Sequence, residues 1–147
     1  MSAALARWRD KPAPLLPILH DIQDDVGYVP SEAVPLIAEA LNLSRAEIHG
    51  VVSFYHFFRT RPPGRCVVQI CMAEACQARG AEDLAASASR LLGISPHETT
   101  GDGAFTLEPV YCLGNCAISP SVRIQGELYG RVTPERLAEL VTKQRGG

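Results

Sequence analysis

Apolar residues fall into two regimes along the chain. From Leu15 onward Leu15, Ile18, Leu19 and Ile22 recur at helical spacing, which predicts an amphipathic helix. Pro14 and Pro17 fit only near its start, where backbone donors lack intrahelical partners, and Gly27 and Pro30 close it. Val34, Ile37, Ala38 and Leu41 mark a second helix, with Ser31 as its expected cap and Asn42 at its end. Ser44-Arg-Ala-Glu47 reads as a capping box and opens a third helix, with Ile48, Val51 and Val52 turned inward. Residues 1–12 are short and mixed and predict no element. Three short helices joined by tight turns make a small bundle. Phe54-Tyr-His-Phe-Phe58 is the one dense aromatic cluster, expected to pack at the end of the third helix; the sharper reading is a docking surface for another subunit. Arg59-Thr-Arg-Pro-Pro-Gly64 then stops any helix and reads as a linker.

Beyond the linker the pattern changes. Val67, Val68 and Ile70 form a β-branched run. A helical stretch follows, with Leu84, Leu91 and Leu92 apolar and Gly93 at its end. Phe105, Leu107, Val110 and Tyr111 predict a second strand. Ser121–Ile124 and Leu128–Tyr129 flank a turn and predict a hairpin. Thr133-Pro134 caps a last helix whose apolar face is Leu137, Leu140 and Val141. The order β-α-β, hairpin, α is that of a thioredoxin-like sheet. The expected fold class is therefore α/β: a three-helix bundle over residues 1–60, then a thioredoxin-like domain over residues 61–147.

The candidate chemistry is cysteine chemistry. Cys71-Met-Ala-Glu-Ala-Cys76 follows the first strand and Cys112-Leu-Gly-Asn-Cys116 follows the second. Adjacent parallel strands would bring both loops to one edge, where four thiolates can share one centre. Structural zinc sites favour shorter spacings, about two to four residues and most often two. A [2Fe–2S] cluster has two irons to reach and suits the longer ones. Plant-type ferredoxins also use C-x4-C, but with a C-x2-C directly after it. A dithiol redox site wants C-x-x-C. A Rieske centre needs two histidines, and His20, His49, His56 and His97 lie away from both pairs. The spacing favours iron–sulfur and leaves zinc or disulfides open. Ala73, Ala75 and Gly114 are small enough for backbone N–H groups to approach the sulfurs, Asn115 is a candidate side-chain donor or turn residue, and Glu74 is expected to face solvent. Cys66, about 16 Å from Cys71 on a regular strand and on the opposite face, is expected to be a buried structural thiol.

Composition narrows the choices further. A hydrophobic fraction of 46% and a charged fraction of 20% allow an ordinary core. A net charge of −2 without a basic block argues against nucleic acid. No apolar run approaches the roughly 20 residues that span a bilayer, so no direct membrane insertion is expected. The odd cysteine count and the absence of an apolar leader at the start point to a reducing cytoplasm. No nucleotide-binding loop or nucleophile elbow is present.

Cys71-x4-Cys76 and Cys112-x3-Cys116, preceded by Gly50-Val-Val-Ser-Phe-Tyr55, resemble the thioredoxin-like [2Fe–2S] subunit of NADH dehydrogenases, found in complex I, NAD-linked hydrogenases and NAD-dependent formate dehydrogenases. Arg79-Gly80-Ala81, Tyr111-Cys-Leu-Gly114 and Tyr129-Gly130 share the likeness, which runs from about Leu15 to Val141. Ala73-Glu-Ala-Cys76 and Leu107-Glu-Pro-Val-Tyr-Cys112 are most similar to the gamma subunit of a soluble, molybdenum- or tungsten-containing NAD-dependent formate dehydrogenase. Cys66 departs from that pattern, where a polar residue is commoner. The resemblance implies that Cys71, Cys76, Cys112 and Cys116 ligate one [2Fe–2S] cluster. It implies a flavoprotein partner holding FMN and the NAD site, a larger formate-oxidising subunit, and no catalysis by this chain alone.

Overall fold

The computed structural model describes residues 2–145; residues 1, 146 and 147, at the outer ends of the two expected domains, lie outside them. Two compact units divide the chain, 1–62 and 63–147.

The first unit contains four helices, α1 (Ser2–Trp8), α2 (Leu15–Val26), α3 (Ala33–Leu41) and α4 (Arg45–Phe54), one more than the pattern predicts. The extra helix falls in the stretch expected to hold no element. Its apolar positions are too few to stand out. Ala4 is nevertheless buried, Leu5 and Trp8 pack on the core, and both Arg7 Nη1 (2.9 Å) and the Trp8 indole N–H (2.8 Å) bind Asp21 of α2. Gly27 ends α2 at φ 90° and Asn42 ends α3 in the left-handed region. Ser31 does not cap α3. Its carbonyl accepts from Val34 N–H at 3.2 Å inside a turn that already leads into the helix, so no side-chain cap forms. The capping box at Ser44 and Glu47 is complete.

Ile18, Leu19, Ile22, Ile37 and Ile48 form the fully buried centre of this unit. Gln23, also buried, donates from its amide to Phe57 carbonyl (2.8 Å) and accepts from Arg59 N–H (2.7 Å). That side chain thereby pins the segment after α4. Phe58 is buried there, with the His20 ring against Phe57 and Phe58, while Phe54 and Phe57 are exposed.

The second unit is built on a four-stranded sheet of order β2-β1-β3-β4. Its strands are β1 (Cys66–Cys71), β2 (Phe105–Val110), β3 (Val122–Ile124) and β4 (Glu127–Tyr129). β1 and β2 run parallel, with Cys71 opposite Val110; β3 and β4 join antiparallel. Gln125 and Gly126, both at positive φ, make the two-residue turn that the right-handed strand twist favours. A short helix α5 (Glu74–Gln77) is followed by a left-handed Gly80 and then α6 (Ala81–Leu92). The chain closes with α7 (Pro134–Arg145), capped by Thr133. Alternation along β1 turns Cys66, Val68 and Ile70 toward Phe105, Leu107, Val122 and Ile124, and this face closes on Leu84, Ala88 and Leu92 of α6 and Leu137, Leu140 and Val141 of α7. Cys66 is thus part of the main core. Gly64 lies so close to β2 that a Cβ there would stand 2.8 Å from the Phe105 backbone. Among the described residues no helix is long and apolar enough to cross a membrane.

Candidate metal centre

The parallel pairing of β1 with β2 determines where the cysteines go. Both strands end at the same edge, Cys71 at the last residue of β1 and Cys112 two residues beyond Val110. The ladder continues past the strands, since Met72 N–H donates to Val110 carbonyl at 2.7 Å and Cys71 N–H to Ser121 carbonyl at 3.0 Å. Cys76 comes back to Cys71 through α5, whose tight turn is closed by Cys76 N–H on Ala73 carbonyl at 2.9 Å. Cys71, Cys76 and Ala81 form a small buried cluster of their own, separate from the main core and from Cys66.

The second loop is unusual in its backbone. Cys112 has φ 104° and Gly114 φ 76°. Glycine reaches that region freely, whereas a cysteine held there stores about 1–3 kcal/mol of strain. The reversal at Cys112 turns the N–H groups of Cys112 and Leu113 so that they lower the pKa of the Cys71 thiol, in the other loop. Gly114 N–H donates to Cys112 Sγ at 3.4 Å. A 3-10 turn, Cys116–Ile118, follows, and the Cys112 and Cys116 sulfurs stand 3.8 Å apart. The turn is held from the hairpin side by Arg131 N–H, which donates to Ile118 carbonyl at 2.6 Å, and Gly130 passes directly against Ile118.

All five cysteines are free thiols. Burial pushes the Cys71 thiol up, but the Ala73 N–H, the Cys76 thiol and the Leu113 and Cys112 N–H groups outweigh it, so its pKa lies below the ordinary thiol value. Cys76 is raised by burial first and then by Cys71 and Cys116, with Ser121 N–H opposing. Cys116 is raised chiefly by its bond to the Cys112 thiol and by that neighbour's charge, with a further contribution from Cys71. The four sulfurs therefore sense one another across both loops. A second and third negative charge in this space is unfavourable unless a cation is present, which is the electrostatic character of a metal–thiolate site.

The donor set fits a two-iron cluster. Two thiolates on one tetrahedral metal at about 2.3 Å stand about 3.8 Å apart, the separation seen between Cys112 and Cys116. The thiols come as two pairs, and N–H groups already point at the sulfurs as in iron–sulfur proteins. The first pair is buried and the second exposed.

Of the residues expected to approach the sulfurs, Gly114 donates from its backbone to Cys112 Sγ and the Ala73 N–H lowers the pKa of the Cys71 thiol. Asn115 does not turn to a sulfur. Its amide donates to Ser121 Oγ at 3.2 Å. Glu74 is exposed. Sequence reasoning passed over Ser121 and the N–H groups of Cys112 and Leu113. The first owes its place to the strand pairing and the others to a backbone reversal that no residue type announces.

A parallel strand pair that delivers two cysteine loops to one sheet edge, with α6 and α7 packed on the core side of β1, defines a thioredoxin-like iron–sulfur protein. The chain belongs to the thioredoxin-like [2Fe–2S] ferredoxin family, whose pattern it matches over residues 1–145. It is 35% identical over 134 residues to an NADH-quinone oxidoreductase subunit from Pseudomonas aeruginosa, covering 91% of this chain and 81% of that protein. It is 33% identical over 129 residues to the HndA subunit of the NADP-reducing hydrogenase of Solidesulfovibrio fructosivorans, covering 88% and 75%. The crystal structure of an air-oxidized NAD+-reducing [NiFe]-hydrogenase superposes with a TM-score of 0.73 and 26% identity over 90% of this chain, which corresponds to 23% of the hydrogenase chain. These relatives are thus subunits or parts of oxidoreductases linked to nicotinamide nucleotides.

Proposed function

We propose that Cys71, Cys76, Cys112 and Cys116 hold one [2Fe–2S] cluster, and that the chain is the electron-transfer subunit of an NAD-dependent formate dehydrogenase complex in the cytoplasm. The observation that carries the reading is the meeting of the two cysteine pairs at one sheet edge, with N–H groups of one loop directed at a sulfur of the other. When bound, the cluster supplies one-electron transfer and, being fully ligated by cysteine, no open position for a substrate. The chain's own residues do the rest. Ala73, Cys112 and Leu113 stabilise negative charge on Cys71 through their N–H groups. The burial of Cys71 and Cys76 excludes water from one side of the site. Cys112 and Cys116, the exposed pair, would hold the side of the cluster open to a partner, which on this reading is a flavoprotein with FMN and the NAD site. A larger molybdenum or tungsten subunit oxidises formate. The formate assignment is supported by the likeness of Ala73–Cys76 and Leu107–Cys112 to the gamma subunit of such enzymes. The names of the relatives favour a second reading, the equivalent subunit of an NADH-quinone oxidoreductase or a hydrogenase.

Anaerobic purification of the tagged chain from its host, with metal analysis, EPR after reduction and identification of bound subunits, tests both. Two irons per chain, a reduced [2Fe–2S] signal, a flavoprotein and a molybdopterin subunit are expected. Quinone-reductase or hydrogenase subunits in place of the last would keep the electron-transfer role and replace the enzyme. Zinc without an EPR signal would overturn the role itself.

A further inference from the structure

Ser121 reaches both cysteine loops without being a cysteine. It is 1% exposed. Its carbonyl accepts from Cys71 N–H at 3.0 Å. Its own N–H opposes the upward shift of the Cys76 thiol. Its hydroxyl accepts from the Asn115 side-chain amide at 3.2 Å and donates to the Asn115 carbonyl at 3.4 Å. The first two contacts are backbone and survive any ordinary substitution. The last two depend on one oxygen atom, through which the hydroxyl grips Asn115 between Gly114 and Cys116.

We infer that the Ser121–Asn115 pair is a positioning device that holds the 112–116 loop against Cys71 and so sets the reduction potential of the cluster; this rests on the four-cysteine ligation proposed above. The chain of cause is short. The hydroxyl fixes Asn115 at both its amide and its carbonyl. Asn115 anchors the loop on the side away from β2. With both ends anchored, the Cys112 and Leu113 N–H groups stay on the Cys71 sulfur. Hydrogen bonds to ligand sulfur favour the reduced, more negative cluster. Removing the hydroxyl lets the loop relax and weakens those bonds, so reduction becomes harder. Neither residue is among the proposed ligands; both act through the loop.

The test is a double-mutant cycle on the full-length chain carrying its cluster, using Ser121→Ala, Asn115→Ala and the double variant. The readouts are the midpoint from an EPR-monitored redox titration and the g-values of the reduced signal. Each single variant is expected to keep two irons and to make reduction at least threefold less favourable, a fall of about 28 mV at 59 mV per tenfold. The double variant is expected to fall no further than Ser121→Ala, because the amide contact that Asn115→Ala removes is one of the two that Ser121→Ala removes. Ser121→Thr, which keeps the hydroxyl, is expected to stay nearer the parent midpoint than Ser121→Ala. Additive shifts, or midpoints and g-values unchanged in Asn115→Ala, would overturn the positioning role while leaving the ligand assignment standing. A parent chain with no reduced [2Fe–2S] signal would overturn the ligand assignment and the inference with it. Asn115 is less buried than Ser121, so its variant serves should Ser121→Ala fail to fold.

Discussion

Gly130→Ala is the substitution whose effect the structure determines most sharply. A Cβ at Gly130 would lie 2.5 Å from Ile118 Cδ1, 2.6 Å from Cγ1 and 2.7 Å from the Ile118 carbonyl oxygen. The two side-chain contacts are easily relieved, since Ile118 is 39% exposed and can rotate away. The carbonyl is not, because Arg131 N–H already holds that oxygen at 2.6 Å, and Ile118 N–H is bound in turn to Asn115 carbonyl at 3.1 Å. Relief therefore means shifting the Cys116–Ile118 turn or breaking one of these bonds. Overpacking of this kind costs about 1–3 kcal/mol. Against it stands the lower chain entropy of alanine in the unfolded state, about 0.4–1 kcal/mol. At the middle of both ranges the net is a destabilisation of about 1.3 kcal/mol, or a fall in Tm of roughly 5–10 °C for a unit of this size. Gly50→Ala provides the control of opposite sign. Gly50 lies inside α4 with nothing within 4 Å of its would-be Cβ, so alanine should stabilise that helix by about 0.5–1 kcal/mol. Thermal unfolding of the full-length variants followed by far-ultraviolet circular dichroism, together with visible absorbance of the loaded protein, separates the two. A Gly130→Ala protein as stable as its parent would refute the claim that the Ile118 carbonyl cannot move.

Gln23→Leu should destabilise the first unit by about 1–3 kcal/mol, because it removes both side-chain bonds that tie Phe57 carbonyl and Arg59 N–H to α2; urea unfolding checks it, and an unchanged midpoint would count against the clamp. Cys66 lies 5% exposed in the main core, and burial pushes its thiol up. Cys66→Ser should therefore cost about 1–3 kcal/mol yet leave the visible spectrum intact, whereas Ala at Cys71, Cys76, Cys112 or Cys116 should bleach it. Glu47 is held below the usual carboxylate range by Ser44 N–H first and the Ser44 hydroxyl next. Its contribution is complete above the unfolded glutamate pKa and disappears as pH falls through the lower folded one. Stability measured against pH should accordingly decline less steeply in that acid window in Glu47→Gln than in the parent, and parallel profiles would contradict the capping role.

The cysteine loops were legible because their positions depend on strand ends. Val67, Val68 and Ile70 and then Phe105, Leu107, Val110 and Tyr111 are spaced closely enough to read as strands, and a helix between them implies parallel neighbours. Ser44–Glu47, Gly27, Asn42, Thr133 and Gly93 carry their roles in their residue types. The first helix was not legible, since its buried side is only Ala4, Leu5 and Trp8, and part of its hold on the unit comes from Trp8 and Arg7 reaching Asp21. Ser31 looked like a cap by type, but its backbone was already committed to a turn. Ser121 had no signal at all. Its importance comes from lying opposite Cys71 across the β1–β3 pairing and facing Asn115, and both relations are long-range.

The donors reaching Cys71 from Ala73, Cys112 and Leu113 are main-chain groups. Heritable variation cannot delete a main-chain N–H except by writing proline. Side chains along this rim that neither ligate nor hold the loop, such as those of Ala73 and Leu113, are thus free to drift, for surface charge or for a new neighbour, while the ligand sulfur keeps the same company. A lineage can in this way re-dress the outside of the centre many times over and pass on its inner wiring unchanged.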